Sequence, residues 1–133
     1  MVIDPDGPLD RCGQRGCVEV YCGGRALSRR AGEGAAELFG AAAAGEREAL
    51  ELVADATRHM GTLMVNVANL YDPEMIVMGG GVTRSWGVVA PALRAALADS
   101  PFITPQRRPL LRRARLGDAA GLRGALEWAR DSI

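Results

Sequence analysis

The sequence predicts an α/β domain that is rich in helices and contains about two strands. Its 133 residues are enough for one domain with a real hydrophobic core. A composition of 48% apolar and 24% charged residues is typical of globular proteins rather than of disordered chains. Apolar residues recur with helical periodicity over 46–71, whereas 75–78 and 110–116 are short apolar runs of the kind that form strands.

The N-terminal third is predicted to be a loop followed by two helices. Residues 1–16 are rich in proline, glycine and aspartate, which indicates irregular structure. A helix is expected over 18–30, although Gly23 and Gly24 weaken its first half because glycine has a low helix propensity. A shorter helix is expected over 35–44.

The clearest single element is a long amphipathic helix over 46–71. Its apolar stripe advances in steps of three and four residues, as one face of a helix does. The pair Asp72-Pro73 ends it, because the residue before a proline avoids helical backbone angles. We expect this stripe to pack in the core. The residues of the stripe are Leu50, Val53, Thr57, Met60, Met64 and Val67.

The C-terminal half alternates strands and helices. We predict a buried strand over 75–78, a helix over 85–98, a second strand over 110–116 and a last helix over 119–130. Two strands make a small sheet for an α/β domain of this length. We therefore expect that a part of the domain lies N-terminal to this sequence.

Two cysteines five positions apart form the first candidate site. Cys12 and Cys17 flank Gly13 and Gly16, so a tight loop can bring both sulfurs to one point. Tetrahedral thiolate sites need ligands that are presented from such a loop. Glu19 follows closely, either as a ligand-binding carboxylate or simply as an acidic residue that the start of a helix favours.

Three consecutive glycines after the first predicted strand form the second candidate site. Gly79, Gly80 and Gly81 separate this strand from a predicted helix. Glycine lets a ligand approach the backbone, and the start of a helix offers free N–H groups. A tight turn between a strand and a helix explains the same glycines equally well.

Three ordered motifs resemble those of the ROK family of bacterial sugar kinases, sugar-sensing repressors and uncharacterised relatives. The run from Asp10 to Glu19 resembles the family's zinc loop, Cys-x-Cys-Gly-x-x-Gly-Cys-x-Glu. The run from Asn69 to Val82 is similar to Asn-x-x-x-Pro-Glu-x-Ile-Val-x-Gly-Gly-Gly-Val. The run from Leu116 to Ala125 is similar to the closing Leu-Gly-x-x-Ala-Gly-x-x-Gly-Ala. Through these three ordered motifs the resemblance spans nearly the whole chain.

The resemblance implies a partial C-terminal lobe of an actin/hexokinase-like ATPase fold, which is ribonuclease H-like. It divides this single lobe into a zinc-type loop at 1–19, a helical segment at 20–71 and a nucleotide-side segment of strands and helices at 72–133. In the family, a sugar and ATP with Mg²⁺ bind in a cleft between two lobes. The expected partners are therefore a small sugar, ATP, and either an N-terminal lobe or another copy of the chain.

The resemblance also assigns binding residues. Glu19 matches a family glutamate that hydrogen-bonds sugar hydroxyls, a role that suits a carboxylate because its two oxygens accept hydrogen bonds from two hydroxyl groups with fixed geometry. Gly79, Gly80, Gly81 and Val82 match residues that lie against the adenosine of ATP. The family's Asp-x-Gly-x-Thr phosphate hairpin and its catalytic aspartate have no match here. We therefore assign no catalytic residue, and we expect no sugar phosphorylation by this chain alone.

The metal site implied by the resemblance is incomplete. Cys12 and Cys17 match two family ligands, Asp10 stands where the family has its first cysteine, and the family's zinc-binding histidine falls immediately before Met1. Closed structural zinc sites use four protein ligands. We therefore expect zinc binding to be weak or absent. The alternative is that Asp10 with a water, or a side chain of a neighbouring molecule, completes the tetrahedron.

Three functions remain open from the sequence. The chain belongs either to an ATP-dependent hexose or amino-hexose kinase, to the effector half of a sugar-sensing repressor, or to a structural remnant without a ligand. The glycine run and the closing motif favour nucleotide binding and hence the kinase. Upstream sequence distinguishes them, since a kinase carries Asp-x-Gly-x-Thr and a repressor a helix-turn-helix. The sugar itself is not specified by these residues.

Charge and composition exclude two classes of partner. The formal net charge is zero, which argues against nucleic-acid binding by this segment. No apolar run reaches the ~20 residues that span a bilayer, so we expect no membrane partner. The chain has three cysteines, two of them in a metal-like loop, which predicts reduced thiols. Together with the lack of a signal peptide, this predicts a cytoplasmic location.

Overall fold

The computed structural model describes residues 1–131, which fold into a helical layer packed on a small sheet. Short 3₁₀ turns cover Gly81–Ser85, Pro105–Arg107 and Gly117–Ala119. The helices and strands in chain order are α1 (Val18–Cys22), α2 (Gly24–Ala31), α3 (Ala35–Ala43), α4 (Arg47–Tyr71), β1 (Met75–Met78), α5 (Trp86–Asp99), β2 (Leu110–Arg113) and α6 (Ala120–Asp131). Within residues 1–131, the helix-rich α/β architecture with two strands is thus confirmed.

The helix expected over 18–30 is in fact two helices. Gly23 has an extended backbone, with φ −66° and ψ 144°, and it separates α1 from α2. A Cβ atom at this position would lie 2.3 Å from Oε1 of Glu19, so a larger residue would displace that carboxylate. The prediction of one continuous helix was wrong because two adjacent glycines let the chain bend here.

The long helix α4 is confirmed, and most of its predicted apolar stripe is buried. Leu50 is 43% exposed and Val67 is only half-buried, so both were wrongly assigned to the core. Helix α4 also approaches α5 closely, since a Cβ at Gly61 would lie 2.8 Å from the Cβ of Ala96. Small residues therefore line the interface between α4 and α5. The buried residues of α4 are Ala49, Val53, Ala56, Thr57, Met60, Gly61, Met64 and Ala68.

The core lies between α4, α5 and the shorter helices α2 and α3. Leu93 of α5 is completely buried, and Leu38 of α3 is 1% exposed. Leu111 of β2 joins this core from the sheet. Among residues 1–131, no helix is both long enough and apolar enough to cross a bilayer.

Strands β1 and β2 pair in parallel, with Met75 opposite Leu110 and Met78 opposite Arg113. The second strand ends at Arg113, three residues before the predicted end. The prediction that β1 is buried was wrong: Met75 is 46% and Val77 is 58% exposed. The helices cover only one face of this sheet within the described residues, and the side chains described in α6 are exposed as well.

Candidate functional site

The N-terminal loop is held together by backbone hydrogen bonds that converge on Gly16. Its carbonyl accepts from the N–H of Ile3 at 2.9 Å, and its own N–H donates to the carbonyl of Pro8 at 2.8 Å. Gly16 has φ 61°, and a Cβ there would overlap the carbonyl oxygen of Asp4. Only glycine fits this position. Cys17 is thereby fixed beside the first strand-like residues, where it forms an antiparallel bridge with Val2.

Asp10, Cys12 and Cys17 form a compact cluster within this loop. One ligand atom from each residue lies within 4.8 Å of the others, and the two sulfurs are 3.4 Å apart. A tight turn produces the convergence, because the N–H of Asp10 donates to Gln14 at 2.7 Å and the N–H of Gly13 donates to Asp10 at 3.0 Å. The structure therefore brings together all three residues that the sequence predicted as metal ligands.

The cluster fits zinc in donor type and in spacing. Two thiolates bonded to one tetrahedral zinc at ~2.3 Å are about 3.8 Å apart, close to the separation seen here. Cys17 is buried, Cys12 is exposed and Asp10 is half-buried, so an ion can enter from solvent. The described residues supply three donors, which leaves one tetrahedral position for a water or a further ligand.

The three side chains already influence one another electrostatically. Hydrogen bonding from the Cys12 thiol, with a smaller part from Cys17, lowers the pKa of Asp10. The pKa of Cys17 is raised to about 11, first by its hydrogen bond with Cys12, then by desolvation, and also by the charge of Asp10. A metal ion would displace the thiol protons, since thiolates are the ligands.

Glu19 lies in the first turn of α1, two residues after Cys17, which is the N-cap of that helix. Its side chain is exposed and folds back over the backbone of Gly23. The metal cluster and Glu19 are therefore joined by one turn of chain. A carboxylate in this place can accept hydrogen bonds from hydroxyl groups of a ligand.

The second group of residues lies where the two parallel strands end. Gly79 follows β1 and Ala114 follows β2, and the N–H of Ala114 donates to the carbonyl of Met78 at 2.7 Å. A Cβ at Gly79 would lie 3.7 Å from the Cβ of Ala114. The glycine run and the start of the closing motif thus meet at the carboxyl edge of the sheet. Open α/β sheets bind ligands at this edge.

Gly80 gives the glycine run its shape. Its φ of 79° and ψ of −170° are in a region that is accessible to glycine alone. The carbonyl of Gly80 accepts from both the N–H and the hydroxyl of Thr83, at 3.1 and 2.8 Å, which starts the turn leading to α5. Cβ atoms at Gly80 and Gly81 would contact nothing within 4 Å, whereas Val82 packs against the core.

A groove opens beside this edge, on the uncovered face of the sheet. Its volume is about 680 Å³. Its walls are mainly apolar, with three arginines along β2 and its continuation. The lining residues are Met75, Val77, Arg112, Arg113, Ala114, Arg115, Leu116 and Ala120.

Sequence reasoning missed an assembly of Asp4, Tyr21 and His59 beneath the metal loop. The hydroxyl of Tyr21 donates to Oδ2 of Asp4 at 2.6 Å, and its ring stacks on that of His59 with centroids 3.9 Å apart. No spacing in the sequence indicates this contact, because the three residues come from the loop, α1 and α4.

A family model described as "ROK family" matches residues 1–132. The N-acetylmannosamine kinase of Citrobacter koseri is 35% identical over 129 residues, which cover 93% of this chain and 43% of that kinase. A ROK family glucokinase from Streptomyces griseus, solved with glucose and AMPPNP, has a TM-score of 0.82 at 28% identity. The match covers 98% of this chain and 50% of that one.

A ROK family transcriptional regulator, a homologue of the E. coli MLC protein, has a TM-score of 0.73 at 23% identity. The match covers 85% of this chain and 33% of the regulator, and it shows the fold alone. The chain thus spans less than half the length of the curated kinase that it matches. These relatives have the actin-like ATPase fold, of which the described residues form a partial lobe.

Proposed function

The chain belongs to the ROK family, and we propose that it forms the C-terminal part of an ATP-dependent kinase for a hexose or an amino-hexose. In this proposal, 1–19 lies on the sugar side and carries the metal loop, 20–71 supplies the helical support, and 72–133 lies on the nucleotide side. Residues 132 and 133 are outside the described part of the chain. The reaction transfers the γ-phosphoryl group of ATP, bound with Mg²⁺, to a sugar hydroxyl.

One observation carries the nucleotide side of the proposal. The glycine run and the closing motif come from distant parts of the sequence, yet Gly79 and Ala114 meet at the carboxyl edge of β1 and β2. Exposed glycine backbone at this edge lets the flat face of an adenosine approach closely. We therefore assign Gly79, Gly80, Gly81 and Val82 to adenosine contacts.

On the sugar side, we assign the exposed carboxylate of Glu19 to the sugar hydroxyls. Zinc, bound by Asp10, Cys12 and Cys17, would hold the loop that leads into α1 and so fix the start of the helix that carries Glu19. The metal has a structural role in this proposal. Its affinity is lower than that of a site with four protein ligands.

The effector half of a repressor is the alternative function. The likeness to a transcriptional regulator extends to the fold alone. The intact Gly79–Gly81 backbone at the sheet edge favours nucleotide binding and therefore the kinase. The rest of the lobe, on preceding chain or on another polypeptide, is the proposed partner of the exposed sheet face and of α6.

We expect no sugar phosphorylation by the 133-residue chain alone. The phosphate hairpin and the catalytic aspartate of the family have no match in the sequence. Phosphoryl transfer needs both residues that bind the phosphate groups and a positioned base. A coupled assay with ATP, Mg²⁺ and a panel of hexoses and amino-hexoses measures this. Turnover above a protein-free blank would show that the chain carries a base we have not identified.

We expect ATP to perturb the backbone amide resonances of Gly79, Gly80, Gly81 and Val82. Titration with AMPPNP and Mg²⁺, followed by NMR, measures the shift at each amide. The effector-domain alternative predicts a response to sugars without a response to nucleotide. Shifts confined to residues 1–30 would contradict the assignment of the nucleotide side.

A further inference from the structure

We propose that Tyr21 is a positioning residue for the metal loop: held between Asp4 and His59, it fixes residues 4–17 on helix α4 and so sets the spacing of the three ligands. This inference rests on the proposed zinc site. It assigns a role to residues that lie outside the ligand set and outside the proposed sugar and nucleotide contacts.

The first step of the argument is the pair of contacts made by Tyr21. Its hydroxyl donates to Oδ2 of Asp4 at 2.6 Å, and its ring lies parallel to that of His59, with an interplanar angle of 6°. The hydrogen bond to Asp4 is the main cause that raises the pKa of Tyr21 to about 12. The hydroxyl therefore keeps its proton, and remains a donor, throughout the neutral range.

The second step links Asp4 to the ligand Cys17. The other carboxylate oxygen of Asp4 accepts from the N–H of Asp6 at 3.2 Å, and its backbone carbonyl accepts from Gly7 at 3.0 Å. The N–H of Asp4 donates to Gly16, the residue directly before Cys17. Asp4 thus connects the turn at residues 4–7 to the turn that carries the ligand Cys17.

The third step is the anchor on α4. Nδ1 of His59 donates to the backbone carbonyl of Asp55 at 2.8 Å, and the His59 side chain is only 13% exposed. The carboxylate of Asp55 is paired with Arg30 of α2 and with Arg58. The ring on which Tyr21 stacks therefore belongs to the central helix of the core and cannot move easily.

These contacts form a continuous connection from α4 through Tyr21 and Asp4 to Gly16 and Cys17. A metal site gains affinity when its ligands are held in place before the ion arrives, and outer residues that orient ligands commonly change metal affinity by about 10- to 100-fold. Tyr21 holds the loop from outside the ligand set. Its hydroxyl should therefore contribute to zinc affinity without touching the ion.

The test compares Tyr21→Phe with Tyr71→Phe, a matched control at an exposed position at the end of α4. Zinc dissociation constants are measured by competition with a chromophoric chelator, and the ligand geometry by the absorption spectrum of the Co²⁺ form. We expect Tyr21→Phe to weaken zinc binding about tenfold and to alter the cobalt bands. Tyr71→Phe should match the wild type in both. Equal zinc affinity in the wild type and Tyr21→Phe would overturn the proposal.

A second measurement separates this inference from the zinc site itself. In metal-free protein, hydrogen exchange at the amides of Gly16 and Asp10 should be about tenfold faster in Tyr21→Phe, which removes the hydrogen bond, and faster also in Asp4→Asn, which leaves it without a charged acceptor. Core amides such as that of Leu93 should be unaffected. Unchanged exchange at Gly16, or equal acceleration in the core, would overturn the positioning role.

His59 provides a conservative rescue. His59→Phe keeps a ring for Tyr21 to stack on, whereas His59→Ala removes it. We expect loop exchange to be faster in His59→Ala than in His59→Phe, and equal exchange in the two would contradict the role of the stack. If the wild type bound no zinc, the proposed metal site would fail, and the exchange data would still decide whether Tyr21 positions the loop.

Discussion

Replacement of Asp10 by cysteine is expected to tighten zinc binding by about a hundredfold. The side chain of Asp10 already lies within 4.8 Å of both cysteine sulfurs, so the new thiolate needs no rearrangement of the loop. The number of ligands stays the same, and the gain comes from replacing a carboxylate oxygen by a thiolate, the softer ligand that favours zinc. A hundredfold gain corresponds to about 2.7 kcal/mol. Competition with a chelator of known affinity measures the change.

The matched control is Asp6→Cys, which adds a thiol to the same loop at a position outside the cluster. It should leave the zinc affinity unchanged, whereas Cys12→Ser and Cys17→Ser should each remove most of it. Removal of zinc from Asp10→Cys with a chelator should then lower the thermal midpoint more than it does in the wild type. An affinity of Asp10→Cys equal to that of the wild type would show that Asp10 lies outside the coordination sphere.

Apart from the division of the first predicted helix into α1 and α2, the order of elements could be predicted from the sequence because it depends on local signals. The helical periodicity of 46–71 and the stop at Asp72-Pro73 both reappear in α4, which ends at Tyr71. The apolar run at 75–78 is β1 without a change of boundaries. Both signals act within a few residues, through helix geometry and proline sterics.

The errors concern what packs against each element. Leu50 was assigned to the core, yet it lies in the first turn of α4 and is 43% exposed, while small residues such as Ala49 and Gly61 are buried. Val77 was assigned to a buried strand, yet the helices described here cover only the opposite face of the sheet. A periodic pattern shows that a face is apolar, but only the tertiary structure decides which neighbour covers it.

For the candidate site, spacing predicted proximity only within one loop. The sulfurs of Cys12 and Cys17 lie 3.4 Å apart, as expected for cysteines that flank a glycine turn. The stack of Tyr21 on His59 joins residues 38 positions apart on two helices, and no local pattern indicates it. Metal binding, the sugar role of Glu19 and the adenosine contacts of the glycine run stay predictions that the experiments above address.

Replacement of Gly80 by alanine is expected to lower the free energy of unfolding by about 1–3 kcal/mol and to abolish the nucleotide-induced shifts of Gly79–Val82. The φ of 79° and ψ of −170° at this residue place a Cβ in conflict with its own backbone, not with a neighbour, since nothing lies within 4 Å of that atom. The chain must therefore adopt another conformation, which breaks the two hydrogen bonds from Thr83 to the Gly80 carbonyl. Chemical denaturation and the AMPPNP titration measure the two effects.

Gly81→Ala is the matched control, because it makes the same chemical change one residue later. Gly81 begins the 3₁₀ turn without a positive φ, and a Cβ there would also meet open space. Its stability should stay within about 0.5 kcal/mol of the wild type, as for other exposed substitutions. If adenosine lies against this backbone, the added methyl group should still weaken AMPPNP binding. A stable Gly81→Ala with unchanged nucleotide affinity would therefore place the adenosine elsewhere. Equal stability of Gly80→Ala and the wild type would show that the hydrogen bonds from Thr83 do not hold the loop in its present shape.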